Sequence, residues 1–166
     1  MTMVERPGPG DTPAITAVVT AAFRRTDEAV LVDRLRAAGR LTLELIARES
    51  DRLVGHVAFS AVGIGASPGD GRWWALAPLA VVPDRQRRGI GAALVRAGLD
   101  AAGRAGVTLV LVLGDPAHYG RFGFAPAARL GLRCPYPAPP DHFMAWHRGA
   151  PPPCGTVAYA PEFPAA

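Results

Sequence analysis

The chain contains no lysine and no asparagine: all 18 of its basic residues are arginine, and Gln86 is its only glutamine in 166 residues. Without Lys there is no Walker-type phosphate loop, which needs a Lys on the outer phosphates, and no pyridoxal-phosphate enzyme, which needs a Lys to form the Schiff base. Cysteine is scarce, with two residues. Cys134 and Cys154 lack CxxC spacing, and His56, His118, His142 and His147 do not reproduce a metal-ligand pattern, so no metal is expected. No apolar run reaches the length of a membrane span, and Met1 to Pro13 carries Pro and Gly where a signal core would be apolar. The expectation is a cytoplasmic protein with reduced thiols and no membrane contact.

What is present is a globular composition, 49% hydrophobic and 19% charged, at a length that suits one domain. We expect a single domain over 1–166, with 134–166 forming Pro-rich C-terminal strands and loops. The net charge of +4 invites a nucleic-acid reading. Arginines, however, are spread from Arg6 to Arg148, and only 85–88 is dense, which suits a small anion better than a polymer. No nucleic-acid partner is expected.

Periodicity orders the elements. Pro13 to Phe23 places Ile15, Val18, Val19, Ala22 and Phe23 at helical spacing with Asp11 or Thr12 as cap, and Asp27 opens a second amphipathic helix closed by Gly39. Leu41 to Ala47 and Leu53 to Ile64 read as an antiparallel hairpin turning at Asp51-Arg52, followed by a loop at 67–71. Trp73 to Val82 is nearly continuously apolar, as in a strand covered on both faces. A helix from Gly89 then presents a stripe of Ile90, Leu94, Ala97 and Ala101, and Thr108 to Leu113 is another buried strand. Strand, crossover helix and strand make a βαβ unit with parallel strands. Pro116 suits the first turn of a short helix, and Phe143 to His147 and Thr156 to Tyr159 are late strands.

The most informative segment is Arg85-Gln86-Arg87-Arg88-Gly89-Ile90-Gly91-Ala92, directly after the apolar strand. Amides in the first turn of a helix have no intrahelical partner, and the helix dipole adds about half a positive charge there. Glycine lets the backbone approach a phosphate closely, and Arg85, Arg87 and Arg88 add cationic charge. The segment is built for a phosphorylated ligand. A Rossmann dinucleotide site is disfavoured, because the third glycine of that motif would fall at Leu94.

Gln86-x-x-Gly89-x-Gly91 after the strand, with Tyr119 four residues before Gly123-Phe124 in the next βα connection, resembles the GNAT superfamily of acyl-CoA-dependent N-acetyltransferases. Pro78 to Pro83, Gly114-Asp115-Pro116 and Arg121-Phe122-Gly123-Phe124 are similar to a bacterial subgroup of predicted acetyltransferases. The resemblance covers 41–124 closely and implies an α/β fold, a mixed and mostly antiparallel sheet with a central parallel βαβ unit and flanking helices. It implies acetyl-CoA as co-substrate, with Leu79, Ala80 and Val81 holding the pantetheine arm and Gln86, Arg87, Arg88, Gly89, Ile90, Gly91 and Ala92 cradling the pyrophosphate. It also implies that Tyr119 protonates the departing thiolate. For the base that deprotonates a primary amine, Leu76 to Val82 offers no carboxylate. His56 is the preferred candidate, with Glu44, Asp115 and His118 as alternatives. A non-catalytic acyl-CoA-binding module stays open as a rival, and a monomer or homodimer is expected.

Overall fold

The computed structural model describes residues 1–165. The elements in chain order are β1 (Thr2–Glu5), α1 (Thr12–Phe23), α2 (Asp27–Ala37), β2 (Leu41–Glu49), β3 (Arg52–Ala61), β4 (Gly63–Ile64), β5 (Trp73–Val81), α3 (Ile90–Arg104), β6 (Leu109–Leu113), α4 (Pro116–Tyr119), β7 (Ala125–Pro126), β8 (Leu132–Arg133), β9 (Phe143–His147) and β10 (Gly155–Ala158). The fold is mixed α/β with mostly antiparallel strand pairs. Two compact units share the chain: Met1–Phe59 with Ala77–Asp100, and Ser60–Leu76 with the chain from Ala101 onward.

In the first unit the strand order is β1-β2-β3-β5. β1 runs antiparallel to β2 from Thr2 opposite Glu49 to Glu5 opposite Ile46. The β2–β3 hairpin turns at Ser50-Asp51, one residue earlier than expected, because Ser50 takes the left-handed conformation (φ 54°) and frees Arg52 to open the strand. The faces of β3 are set by close approach. A Cβ on Gly55 would lie 3.0 Å from Leu94 and 3.1 Å from Ile90, and one on Gly98 would strike the Phe59 ring, so 55 and 59 face α3. By alternation His56 faces away from it. That approach at Gly98 also rotates the buried stripe of α3: Leu94, Val95, Leu99 and Ala102 are buried, whereas Ala97 and Ala101 are half-buried. α1 buries Ile15, Val18 and Val19, and α2 buries Ala29, Val32 and Leu35. The expected side-chain cap on α1 does not form. Asp11 instead accepts from the Gly8 amide and pairs with Arg48.

In the second unit β5 and β6 are parallel, with Trp73 opposite Leu109 and Ala75 opposite Leu111, as expected for strands joined by the crossover helix α3. β9 adds antiparallel to β6, and β7 to β9. The long strand expected over 53–64 ends at Ala61. Ile64 and Ser67 exchange backbone hydrogen bonds of 2.9 Å, and a Cβ at Gly63 would sit 2.6 Å from Ser67 O, so this turn pulls Gly63–Ile64 into a second sheet of order β4-β10-β8. Ala75, Leu109, Leu111, Phe143, Ala145 and Val157 form the core of this unit.

Candidate active site

The strand-to-helix turn keeps its N-terminal amides available. The first bond of α3 runs from Ala93 N to Gly89 O at 3.0 Å, so the amides of Ile90, Gly91 and Ala92 precede the helical ladder. Gly89 holds φ +82° with open space around it, so this glycine is required by backbone conformation. Gly91 is different. Its backbone is helical, and a Cβ there would make only ordinary contacts, 3.8 Å to Leu79 and 3.9 Å to Val81. Nothing in the protein demands a glycine at 91, although glycine inside a helix costs about 0.5–1 kcal/mol.

The side chains of the turn divide their work. Gln86 Nε2 donates to Val81 O at 3.0 Å and ties the turn to the end of β5. Arg85 departs from the sequence reading: it donates to Glu49 Oε1 at 2.8 Å and to Asp84 Oδ2 at 3.0 Å, which makes it a brace. Asp84 also receives both Nη atoms of Arg52 at 2.9 Å, and this guanidinium holds its carboxyl down at about 2. Arg87 and Arg88 are exposed, with no ion pair among the described residues, and Arg87 itself is left-handed at φ 64°. The two free cations thus stand beside the unpaired amides.

In β5, Leu79 and Val81 are half-buried on the α3 side and Ala80 is buried on the other. Val82 N donates to Val54 O and Val62 N to Trp73 O, both at 2.9 Å. Between these bonds β5 takes one residue more than β3, which is a β-bulge in β5. Pro78 is its sign in the sequence, since a strand paired on both sides accommodates proline only where the ladder is broken. The Val54–Val82 register places His56 opposite Ala80, on the face away from α3.

His56 is fully buried, and its Nε2 lies 2.7 Å from Glu44 Oε2. The same Glu44 oxygen receives Arg36 Nη2 at 2.6 Å. The structure thereby brings together two of the candidate bases and adds Arg36, which sequence reasoning missed. Burial opposes ionisation of Glu44, but the hydrogen bonds from His56 and Arg36 outweigh it and leave the carboxyl below its ordinary value. Glu44, Arg6, Arg36, Leu41 and Thr42 also line a cavity of about 320 Å³.

Tyr119 ends α4, and burial pushes its phenol up to about 12. Its ring packs edge-on against Phe124 and occupies the space where a Cβ on Gly114 would stand, which explains that glycine. Asp115 accepts from Ala117 N at 2.9 Å as the cap of α4. His118 Nδ1 accepts from Arg121 Nη2 at 3.0 Å; burial first, and then the Arg121 charge, push this imidazole below its ordinary value. Both alternatives are thus committed to local structure. Among the described residues no His, Cys, Asp or Glu cluster could hold a metal, and no helix is long and apolar enough to cross a membrane.

A mostly antiparallel sheet with one parallel crossover, entered through an anion-ready turn, is the architecture of an acyl-transferring α/β enzyme. The chain belongs to the acetyltransferase (GNAT) family, whose model matches residues 14–124. It is 41% identical over 141 residues to the uncharacterized N-acetyltransferase YhbS of Escherichia coli K12, covering 84% of this chain and 83% of that protein. The uncharacterized N-acetyltransferase YjhQ of the same strain is 37% identical, with 82% of this chain and 77% of that protein covered. Among solved structures, E. coli YhbS in complex with CoA superposes with a TM-score of 0.88 at 35% identity, over 97% of this chain and 91% of the other. A GNAT acetyltransferase from Brucella melitensis in complex with acetyl-CoA superposes with a TM-score of 0.84 at 37% identity, over 99% of each chain.

Proposed function

We propose that this acetyltransferase moves the acetyl group of acetyl-CoA directly to a primary amine, with Tyr119 as general acid and His56 as general base. The observation that carries the cofactor half is the turn: unpaired amides at Ile90, Gly91 and Ala92, a glycine at 91 that the protein itself does not need, and two exposed unpaired arginines. A pyrophosphate satisfies all three features. Relatives of 35% and 37% identity bind CoA or acetyl-CoA, which supports the same ligand here. Leu79, Ala80 and Val81 lead into the turn and offer backbone groups for the pantetheine arm.

Acetyl-CoA brings an activated acyl group, and the chain's residues manage the protons. Tyr119 stays protonated at neutral pH and has a proton to give. A phenol at about 12 is a weak acid toward a thiolate, so its transfer has to accompany C–S cleavage. His56 sits in the row of Ala80 and offers the only fully buried imidazole among the described residues.

The test is a panel of small amines, peptides and proteins, followed by release of the CoA thiol. Turnover on at least one amine that is lost in Tyr119→Phe, with acetyl-CoA binding kept, is expected. Binding of acetyl-CoA without turnover on any amine would favour a non-catalytic acyl-CoA-binding module.

A further inference from the structure

Two buried side-chain atoms lack a hydrogen-bond partner among the described residues, His56 Nδ1 and Ser60 Oγ. The histidine is the more telling, because its other ring nitrogen is so firmly engaged. Leaving a buried polar atom unpaired is costly, and an imidazole turned to satisfy one nitrogen leaves the other exposed to that cost. The engaged side is an ordered row: Asp33 Oδ1 accepts from Arg36 Nη1 at 3.0 Å, Arg36 Nη2 donates to Glu44 Oε2 at 2.6 Å, and His56 Nε2 meets that same oxygen at 2.7 Å.

We propose that Glu44, braced by Arg36, is a positioning residue that holds His56 in the Nε2–H tautomer and so makes the buried Nδ1 the atom that takes the acceptor's proton. An ionised carboxylate can only accept, so the proton between the two groups belongs to Nε2 and the lone pair to Nδ1. The arrangement also explains why Glu44 is not the base. Its Oε2 already receives two donors, and the Arg36 charge opposes protonation of the carboxyl. The imidazolium that forms is paired at once with Glu44, whose cost of burial is already met by the row.

The functional consequence rests on the acetyl-transfer reading. As the amine nitrogen bonds to the thioester carbonyl carbon, its N–H bond breaks and the proton goes to Nδ1. The C–S bond breaks with its electron pair on sulfur, which takes the Tyr119 proton. The imidazolium then holds one proton more than at the start and the phenolate one fewer, so net return of a single proton restores the protein to its starting state.

The experiment has a spectroscopic arm and a kinetic arm on the full chain. Ring ¹⁵N correlation spectra of the wild type, assigned with His56→Ala, should show His56 protonated at Nε2 and bare at Nδ1. Glu44→Gln should lower kcat roughly 10-fold or more while the KM for acetyl-CoA stays within about 2-fold, and Glu44→Asp should recover part of the loss. A His56 protonated at Nδ1 in the wild type overturns the proposal, even if Glu44→Gln does not fold. A folded Glu44→Gln with wild-type kcat overturns it as well. Failure of the wild type to acetylate any amine removes the acetyl-transfer reading, and the spectrum still decides the tautomer.

Discussion

Tyr119 is buried, and two consequences follow from a phenol raised to about 12. Tyr119→Phe keeps the ring that packs on Phe124, so acetyl-CoA affinity by calorimetry should change less than about 2-fold while kcat falls ~10²-fold or more, the range for a lost general acid. An unchanged kcat would reduce Tyr119 to a packing residue. Folded and unfolded forms bind this proton equally well below pH ~10; above it the unfolded phenol ionises first, so this group's contribution to stability should be lost between ~10 and about 12, and because burial also raises Tyr136 and Tyr159 it is read as the difference between wild type and Tyr119→Phe. Absorbance titration of tyrosinate alongside thermal melts reads that window. His56 and Tyr119 were both legible in the chain as candidates. Glu44 was legible as an alternative base but not as a partner of His56 and Arg36, because Arg36 comes from a helix and no spacing rule links them.

At the level of elements, the turn from β5 into α3 separates glycines of two kinds. Gly89→Ala should cost stability of about 1–2 kcal/mol, since a left-handed residue there gains a Cβ penalty with nothing to relieve it. Gly91→Val should leave the melting temperature within a few degrees, because a Cβ there makes only ordinary contacts with Leu79 and Val81, and on the proposed pyrophosphate reading of the turn it should raise the KM for acetyl-CoA roughly 10-fold or more. Equal effects on stability and KM at both positions would contradict this division. Arg85→Ala, a brace on Glu49, should act on stability by no more than ~1 kcal/mol, as expected of a half-exposed ion pair. Helix α3 carries a packing prediction of its own: Gly98→Ala pushes a Cβ into Phe59, which should cost roughly 1–3 kcal/mol in denaturant unfolding.

Across the whole molecule, ion pairs lower the carboxyl groups of Asp11, Glu28, Glu44 and Asp84. A depressed folded-state pKa means stability that is present above the ordinary carboxylate range and lost as pH falls through the folded value. Melting temperature should therefore drop from pH ~4 toward about 2, the value at Asp84, and Arg52→Ala or Arg36→Ala should flatten the drop. A pH-independent melt over that range would refute the assignment. The sequence by itself determined α1, α2, the β2–β3 hairpin, the parallel βαβ crossover, the short helix α4 and the late strands β9 and β10, and it singled out the glycine turn from β5 into α3; β1, β7 and β8 carried no periodicity long enough to be read from it. Periodicity and glycine placement are local facts, and local facts suffice for those features. Only the tertiary structure decided that β5 bulges, that Gly63–Ile64 leaves the main strand, that Arg85 braces while Arg87 and Arg88 stay free, and that Asp33, Arg36, Glu44 and His56 form one row. The Arg36–Glu44–His56 contacts and the Arg85–Glu49 brace join residues 8 to 36 positions apart between helix and strand or across strands, where hydrogen bonds of 2.6 to 2.8 Å leave no signature in sequence spacing.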